Sequence, residues 1–255
     1  MDVFFSAPEA AQSPHSTRSG PCDLPIHYRD ASHFGAFFRV ELSKARQLVG
    51  PDRVIEPWPI LGRAVAAIYV WEYRDSSVGS YREVGLGIQC RIKGKRPSVV
   101  RLGLDMGADD AQGIWVLNLP VTTQAAHDAG VDLWGYPKYV TPIETRFQAA
   151  ESSVTLGSEL TLSLPRPSGP TLAGQPVVTY TERQGRLIRT RIDVDHRARW
   201  GLGGGARLSL EGEGPLARSA RALGLDGLSP VAAFRVDGFR ARLPVGVDLG
   251  PARMD

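Results

Sequence analysis

The sequence predicts a mainly β (α+β) fold: a single domain formed by a closed or cone-shaped antiparallel β-barrel with a few short helices. Three observations lead there. About nine segments carry strand patterning and only two carry a helical period. Clusters of Gly, Pro, Asn and Asp separate those segments. Patterning is similar on both sides of the loop "PRPSGPTLAGQ" (165–175), so no linker divides the chain. With this many strands, closure into a barrel removes exposed edges.

In chain order, residues 1–22 are rich in Ser, Pro and Ala without a period, and read as a mobile N-terminal arm. The domain proper is expected over 23–255. "ELSKARQLVG" (41–50) places Leu42, Ala45, Leu48 and Val49 on one helical face, and Gly50-Pro51 ends it. "AVAAIYVWEY" (64–73) is apolar on both faces, as a buried strand is. "EVGLGIQCRIK" (83–93) alternates Val84, Leu86, Ile88 and Cys90, with glycines at 85 and 87 that suggest a bend or close packing. Further strands are expected at 98–104, 113–119, 153–164, 176–182, 186–194, 206–212 and 232–243. "PLARSARALG" (215–224) is the second helix, with Pro215 at its favoured first position.

Composition narrows the function classes. The net charge is +3, and the densest basic run, "RIKGKRP" (91–97), reads as a solvated hairpin end rather than a nucleic-acid-binding stripe. Two cysteines, Cys22 and Cys90, cannot build a disulfide framework. The start of the chain lacks a signal peptide's basic and apolar regions, and no apolar run reaches transmembrane length. A cytoplasmic protein acting on small molecules, with no nucleic-acid or membrane partner, is the expectation.

Most site motifs fail on context. "GLGGGA" (201–206) resembles a dinucleotide fingerprint, but a strand-like "RLSLEG" follows where a helix is required. "DMGADD" (105–110) lacks the spacing of a calcium loop. The five histidines are scattered, so no metal or cofactor is expected. What remains is "VDLWGYPKY" (131–139). Pro137 fixes its own φ and drives Tyr136 away from helix, so Lys138 is presented from a rigid, extended element. Trp134 and Tyr136 supply bulky walls that could desolvate an amine. On residue chemistry alone, however, an ordinary surface lysine is the default.

"DLWGYPK" resembles the active-site motif of the acetoacetate decarboxylase family: an acidic-apolar run, an aromatic, Pro and the Schiff-base lysine. "YRDSSVGSYREVGLGI" (73–88) is similar to that family's segment leading through Tyr-x-Glu into a strand. "HYRDASHFGAFFRV" (27–40) and the helix, "LSPV" and final strand near the C-terminus agree more loosely, so the resemblance spans roughly residues 25–245. It implies a homo-oligomer whose Lys138 and Glu83 are catalytic, with Arg29 near the substrate carboxylate and Trp134 and Tyr136 lining the site. The family's second lysine is here Tyr139, and a further family glutamate falls on Ile68. Glu72, four residues on and on the same face of a strand, is expected to replace it in part, and the apolar Ile68 to favour a larger or less polar substrate.

The implied chemistry follows. A lysine attacks a ketone only as the free amine, and the family is itself the standing example of lysine activation by desolvation or a nearby cation. An imine at Lys138 then acts as an electron sink for decarboxylation of a β-keto acid. The same sink serves aldol condensation, dehydration or hydration of 2-oxo acids. A third alternative is a binding protein in which Lys138 no longer reacts. With Tyr139 in place of a cation, burial is expected to supply most of the activation.

Overall fold

A computed structural model of the chain describes residues 2–97 and 111–254. The strand expected at 98–104 and the turn at 105–110 lie outside the described residues. The chain opens with α1 (Val3–Ser6), a 3-10 turn (Pro8–Ala10) and the hairpin β1 (Ser13–Thr17) and β2 (Gly20–Leu24). The segment expected as a patternless arm therefore carries regular structure. The long β3 (Ile26–Val40) follows, then α2 (Leu42–Val49), β4 (Ile55–Pro57), β5 (Ala64–Ser76), β6 (Tyr81–Ile92) and β7 (Gln112–Asn118). After α3 (Gln124–Trp134) come β8 (Ile143–Phe147), β9 (Glu151–Leu156), β10 (Leu160–Pro165), β11 (Thr171–Ala173), β12 (Val177–Arg183) and β13 (Arg186–Asp195). The chain ends with β14 (Arg197–Leu202), β15 (Arg207–Leu210), α4 (Pro215–Leu223), β16 (Ala232–Leu243) and β17 (Val247–Pro251).

Seven strands close on themselves in the order β16, β3, β5, β6, β7, β12, β13 and back to β16. All neighbours are antiparallel except β7 and β12, which pair in parallel, so the expected barrel is closed but mixed. One edge of β16 pairs with β3 along its length. Its other edge pairs with β13 at 240–242 and with β14 at 232–235. The second edge of β16 is thus shared between β13 and β14. The segment expected as one strand over 153–164 is two, β9 and β10, because the chain reverses at Gly157 (φ 46°).

Two cores explain the strand patterns. Alternate residues of β3, β5 and β6 (Phe34, Phe38, Ala66, Ile68, Val84, Leu86) pack against a separate sheet of β8, β9, β10 and β15 and against α2 and α4. That sheet and two helices cannot fit within seven strands, so this core lies outside the barrel. The opposite faces of the same strands, with β16, β2 and α3, form the second core, on the interior side of the barrel wall. Strands buried on both faces read as continuous apolar runs, as "AVAAIYVWEY" does. Cys22 and Cys90 are free and buried. Among the described residues no helix is long and apolar enough to cross a membrane.

Candidate active site

Lys138 is held by backbone lacing rather than by a regular element. Thr123 caps α3, its hydroxyl accepting from the Ala126 amide, and Gly135 ends the helix in the left-handed region at φ 69°. A side chain at Gly135 would meet the Glu182 carbonyl at 2.5 Å, so glycine is required twice over. Beyond it, residues 136–140 run extended beside 119–121. The Leu119 amide donates to the Pro137 carbonyl (3.0 Å) and the Val121 amide to that of Tyr139 (2.9 Å). On its other side the same segment joins β6: the Val84 amide donates to the Pro120 carbonyl (3.1 Å), and Val121 bridges Glu83. Residues 119–121 thus tie the lysine's segment to the glutamate's strand.

The result is a buried ion pair. Lys138 Nζ donates to Glu83 Oε2 at 2.5 Å, with the two side chains only 6% and 8% exposed. Gly130 on α3 makes room: a Cβ there would lie 2.4 Å from Lys138 Cε. Tyr81 places its ring 5.7 Å from Nζ, and its hydroxyl meets that of Tyr28 at 3.1 Å. Burial pushes the phenols of Tyr28, Tyr73 and Tyr81 well above the ordinary tyrosine range, and the charge of Glu83 adds to this in all three. All three therefore stay neutral and can donate. Tyr136 is buried and its hydroxyl shares a hydrogen bond with Thr179 (2.8 Å). Trp134 is fully buried, its indole donating to the Pro244 carbonyl (2.9 Å). A cavity of about 10 Å3, room for one water-sized body, is lined by Lys138, Tyr28, Tyr81, Gly130, Trp134 and Tyr136 among others.

Of the residues singled out from sequence, the fold brings Lys138, Glu83, Trp134 and Tyr136 together. Three others lie elsewhere. Ile68 is fully buried in the outer core, on the face of β5 turned away from Lys138, so it cannot shape a pocket there. Glu72 shares that face, as period-two spacing demands, and contacts Thr145 of β8, Arg82 (3.5 Å) and Arg74 (3.7 Å). It replaces no carboxylate at the site. Arg29 is exposed and pairs with Asp75 (3.3 Å), while its neighbour Tyr28 points inward. Tyr139 also turns away: its hydroxyl donates to Glu159 (2.7 Å), which in turn accepts from the Leu216 and Ala217 amides at the start of α4. A charge at position 139 would therefore face away from the site, and its loss takes nothing from the surroundings of Lys138.

Sequence reasoning missed Tyr28, Tyr73, Tyr81 and Gly130. Tyr81 had a signal, since it precedes Glu83 by two and shares its face of a strand. Gly130 had none. Among the described residues, no group of three or more His, Cys, Asp or Glu could hold a metal.

The fold is shared with solved structures of low sequence identity. Acetoacetate decarboxylase from Legionella pneumophila superposes with a TM-score of 0.69 at 16% identity, over 98% of this chain and 96% of that one. An acetoacetate decarboxylase-like enzyme from Sphingomonas wittichii gives 0.62 at 13% identity, over 94% and 100%. The enduracididine biosynthesis enzyme MppR, solved with pyruvate, gives 0.61 at 14% identity, over 89% and 91%. No curated protein matches the chain by sequence. The family model for acetoacetate decarboxylase matches residues 10–198. With well over half of its length covered by that match, the chain belongs to the acetoacetate decarboxylase family.

Proposed function

We propose that the protein is a Schiff-base lyase that decarboxylates a β-keto acid through an imine on Lys138. The observation that carries this reading is the buried contact of Lys138 Nζ with Glu83 Oε2 at 2.5 Å. The amine must lose a proton before it can attack, and Glu83 is the base within reach. The Lys138 nitrogen adds to the substrate ketone, and the carbonyl oxygen leaves as water. The bond to the carboxylate carbon then breaks, its electron pair moving toward the imine nitrogen as an enamine forms and CO2 departs. Glu83 returns a proton, and water hydrolyses the new imine to release the ketone and the free amine.

The lining of the cavity suits this sequence. Among the described residues lining it, Lys138 carries the one charged side chain; the others are apolar or phenolic. A carboxylate brought there loses its hydration without gaining a guanidinium, since Arg29 lies outside, and loss of CO2 disposes of that charge. Neutral Tyr28 and Tyr81 can donate to oxygen atoms as the imine forms.

An imine at Lys138 would equally support aldol condensation with dehydration. The likeness of the fold to an enzyme solved with pyruvate keeps that reading second. Reductive trapping tests both against a binding role. Borohydride with acetoacetate is expected to add a stable mass to the peptide holding Lys138, and the Lys138→Ala variant to gain none. Release of CO2 from acetoacetate then assigns the lyase, and its absence during imine formation the aldolase. A folded protein that traps no oxo acid at all would be a binding protein.

A further inference from the structure

The cavity at Lys138 is small, so any part of a substrate beyond the reacting keto-acid group must lie elsewhere. On the α3 side of the cavity the chain is closed over by the N-terminal hairpin. There α3 and the β1–β2 hairpin pack together, Arg18 pairing with Asp132 (2.9 Å) and Ser19 with Asp128 (2.5 Å). Away from the hairpin, the inward face of β5 carries a row of rings toward β14. Tyr81 is 4.6 Å from Tyr73, and Tyr73 is 6.4 Å from Trp71 at 8°. Trp71 is 5.7 Å from Tyr69, Tyr69 is 5.9 Å from Phe37, and Phe37 stacks on Trp200 at 5.6 Å. Trp71 is the direct cross-strand partner of Glu83, so the row begins at the reacting centre.

These rings are not a sealed core. Trp71, Tyr69, Phe37 and Trp200 all retain partial exposure, although their strands form the barrel wall. Glycine keeps the row open at its start, since a Cβ on Gly85 would lie 3.3 Å from the Trp71 ring. His33 lies flat on one face of Trp71 at 4.5 Å and 1°, which fixes the orientation of the indole in the row.

On the reading of Lys138 given above, we propose that the substrate carries an aryl or other planar conjugated group, seated along Trp71 and Tyr69 while its ketone reaches Lys138. Aromatic faces favour offset stacking on a flat π system beyond the gain from burying its area.

Three ketones separate the terms: butanone, 4-phenylbutan-2-one and 4-cyclohexylbutan-2-one. Borohydride trapping of Lys138 is measured against ketone concentration for each. Half-trapping is expected at the lowest concentration for the phenyl compound, about fivefold below the cyclohexyl one. Trp71→Leu is expected to erase most of that ratio, and Trp71→Phe to restore part of it. Equal half-trapping by phenyl and cyclohexyl ketones overturns the proposal while leaving the imine intact. The converse is read in Lys138→Ala by calorimetric titration with 4-phenylbutan-2-one. Binding that persists there and weakens on Trp71→Leu supports the aromatic row even if no ketone is ever trapped. Neither trapping nor binding overturns both.

Discussion

At the residue scale, the site depends on a hydrogen atom at position 130. Gly130 is buried on α3 and sits against the alkyl chain of Lys138. Gly130→Ala forces either the lysine or the helix to move, at a cost of about 1–3 kcal/mol. We expect the denaturation midpoint to fall and borohydride trapping with acetoacetate to slow by at least about tenfold, because Nζ can no longer meet Glu83 at its present distance. Trapping at the unaltered rate would show that the clash is relieved away from the lysine. Lys138 and Glu83 were legible from their motifs, whereas the sequence offers nothing to mark Gly130. Arg29 shows the opposite failure. It lies one residue from Tyr28, and in a strand one residue reverses the side chain.

Among the elements, α3 and α4 divide the labour. The helix at 124–134 escaped sequence reading because its buried positions, Ala126, Asp128, Ala129, Gly130 and Trp134, are mostly small or polar and give little contrast with a polar face. The helix at 215–223 was legible through Leu216, Ala220 and Leu223, but its anchoring was not. Its first turn is held by Glu159, which receives the Leu216 and Ala217 amides (2.9 and 3.1 Å) and the hydroxyl of Tyr139. The residue beside Lys138 thus serves a helix start away from the cavity. Tyr139→Phe is expected to lower stability by about 1–2 kcal/mol in urea titration, from one lost bond to a carboxylate. It should leave the rate of ketone trapping at Lys138 unchanged. A slower trapping rate would place Tyr139 in the chemistry after all.

Over the whole molecule, the barrel interior buries groups that resist protonation, and this fixes how stability depends on pH. Burial lowers the pKa of His33 to about 3 and that of His196 to about 4. In the unfolded chain each would protonate near the ordinary value of about 6.5. Below that pH the unfolded state binds protons that the folded state refuses, so stability falls as pH falls from about 6.5 toward 4. Above it, these residues contribute no slope. The urea midpoint is therefore expected to hold between pH 8 and 7 and to drop from pH 6 to 4. In His33→Asn, which keeps a donor for the Val70 carbonyl, that drop should be shallower. An identical drop in the variant would assign it to other groups.

The sequence by itself determined the strand-rich class, the closed barrel and the helices at α2 and α4, and its motifs singled out Lys138 and Glu83, which the fold brings together. Those properties are local: period, punctuation and short motifs survive in one dimension. Only the tertiary structure decided which face of each strand is the interior. Because β3, β5 and β6 are apolar on both sides, their pattern carries no sign, and Ile68 and Glu72 could be assigned to the site as readily as Tyr73 and Trp71. The outer sheet of β8, β9, β10 and β15 breaks that symmetry by covering one face, and the other face is left to Lys138.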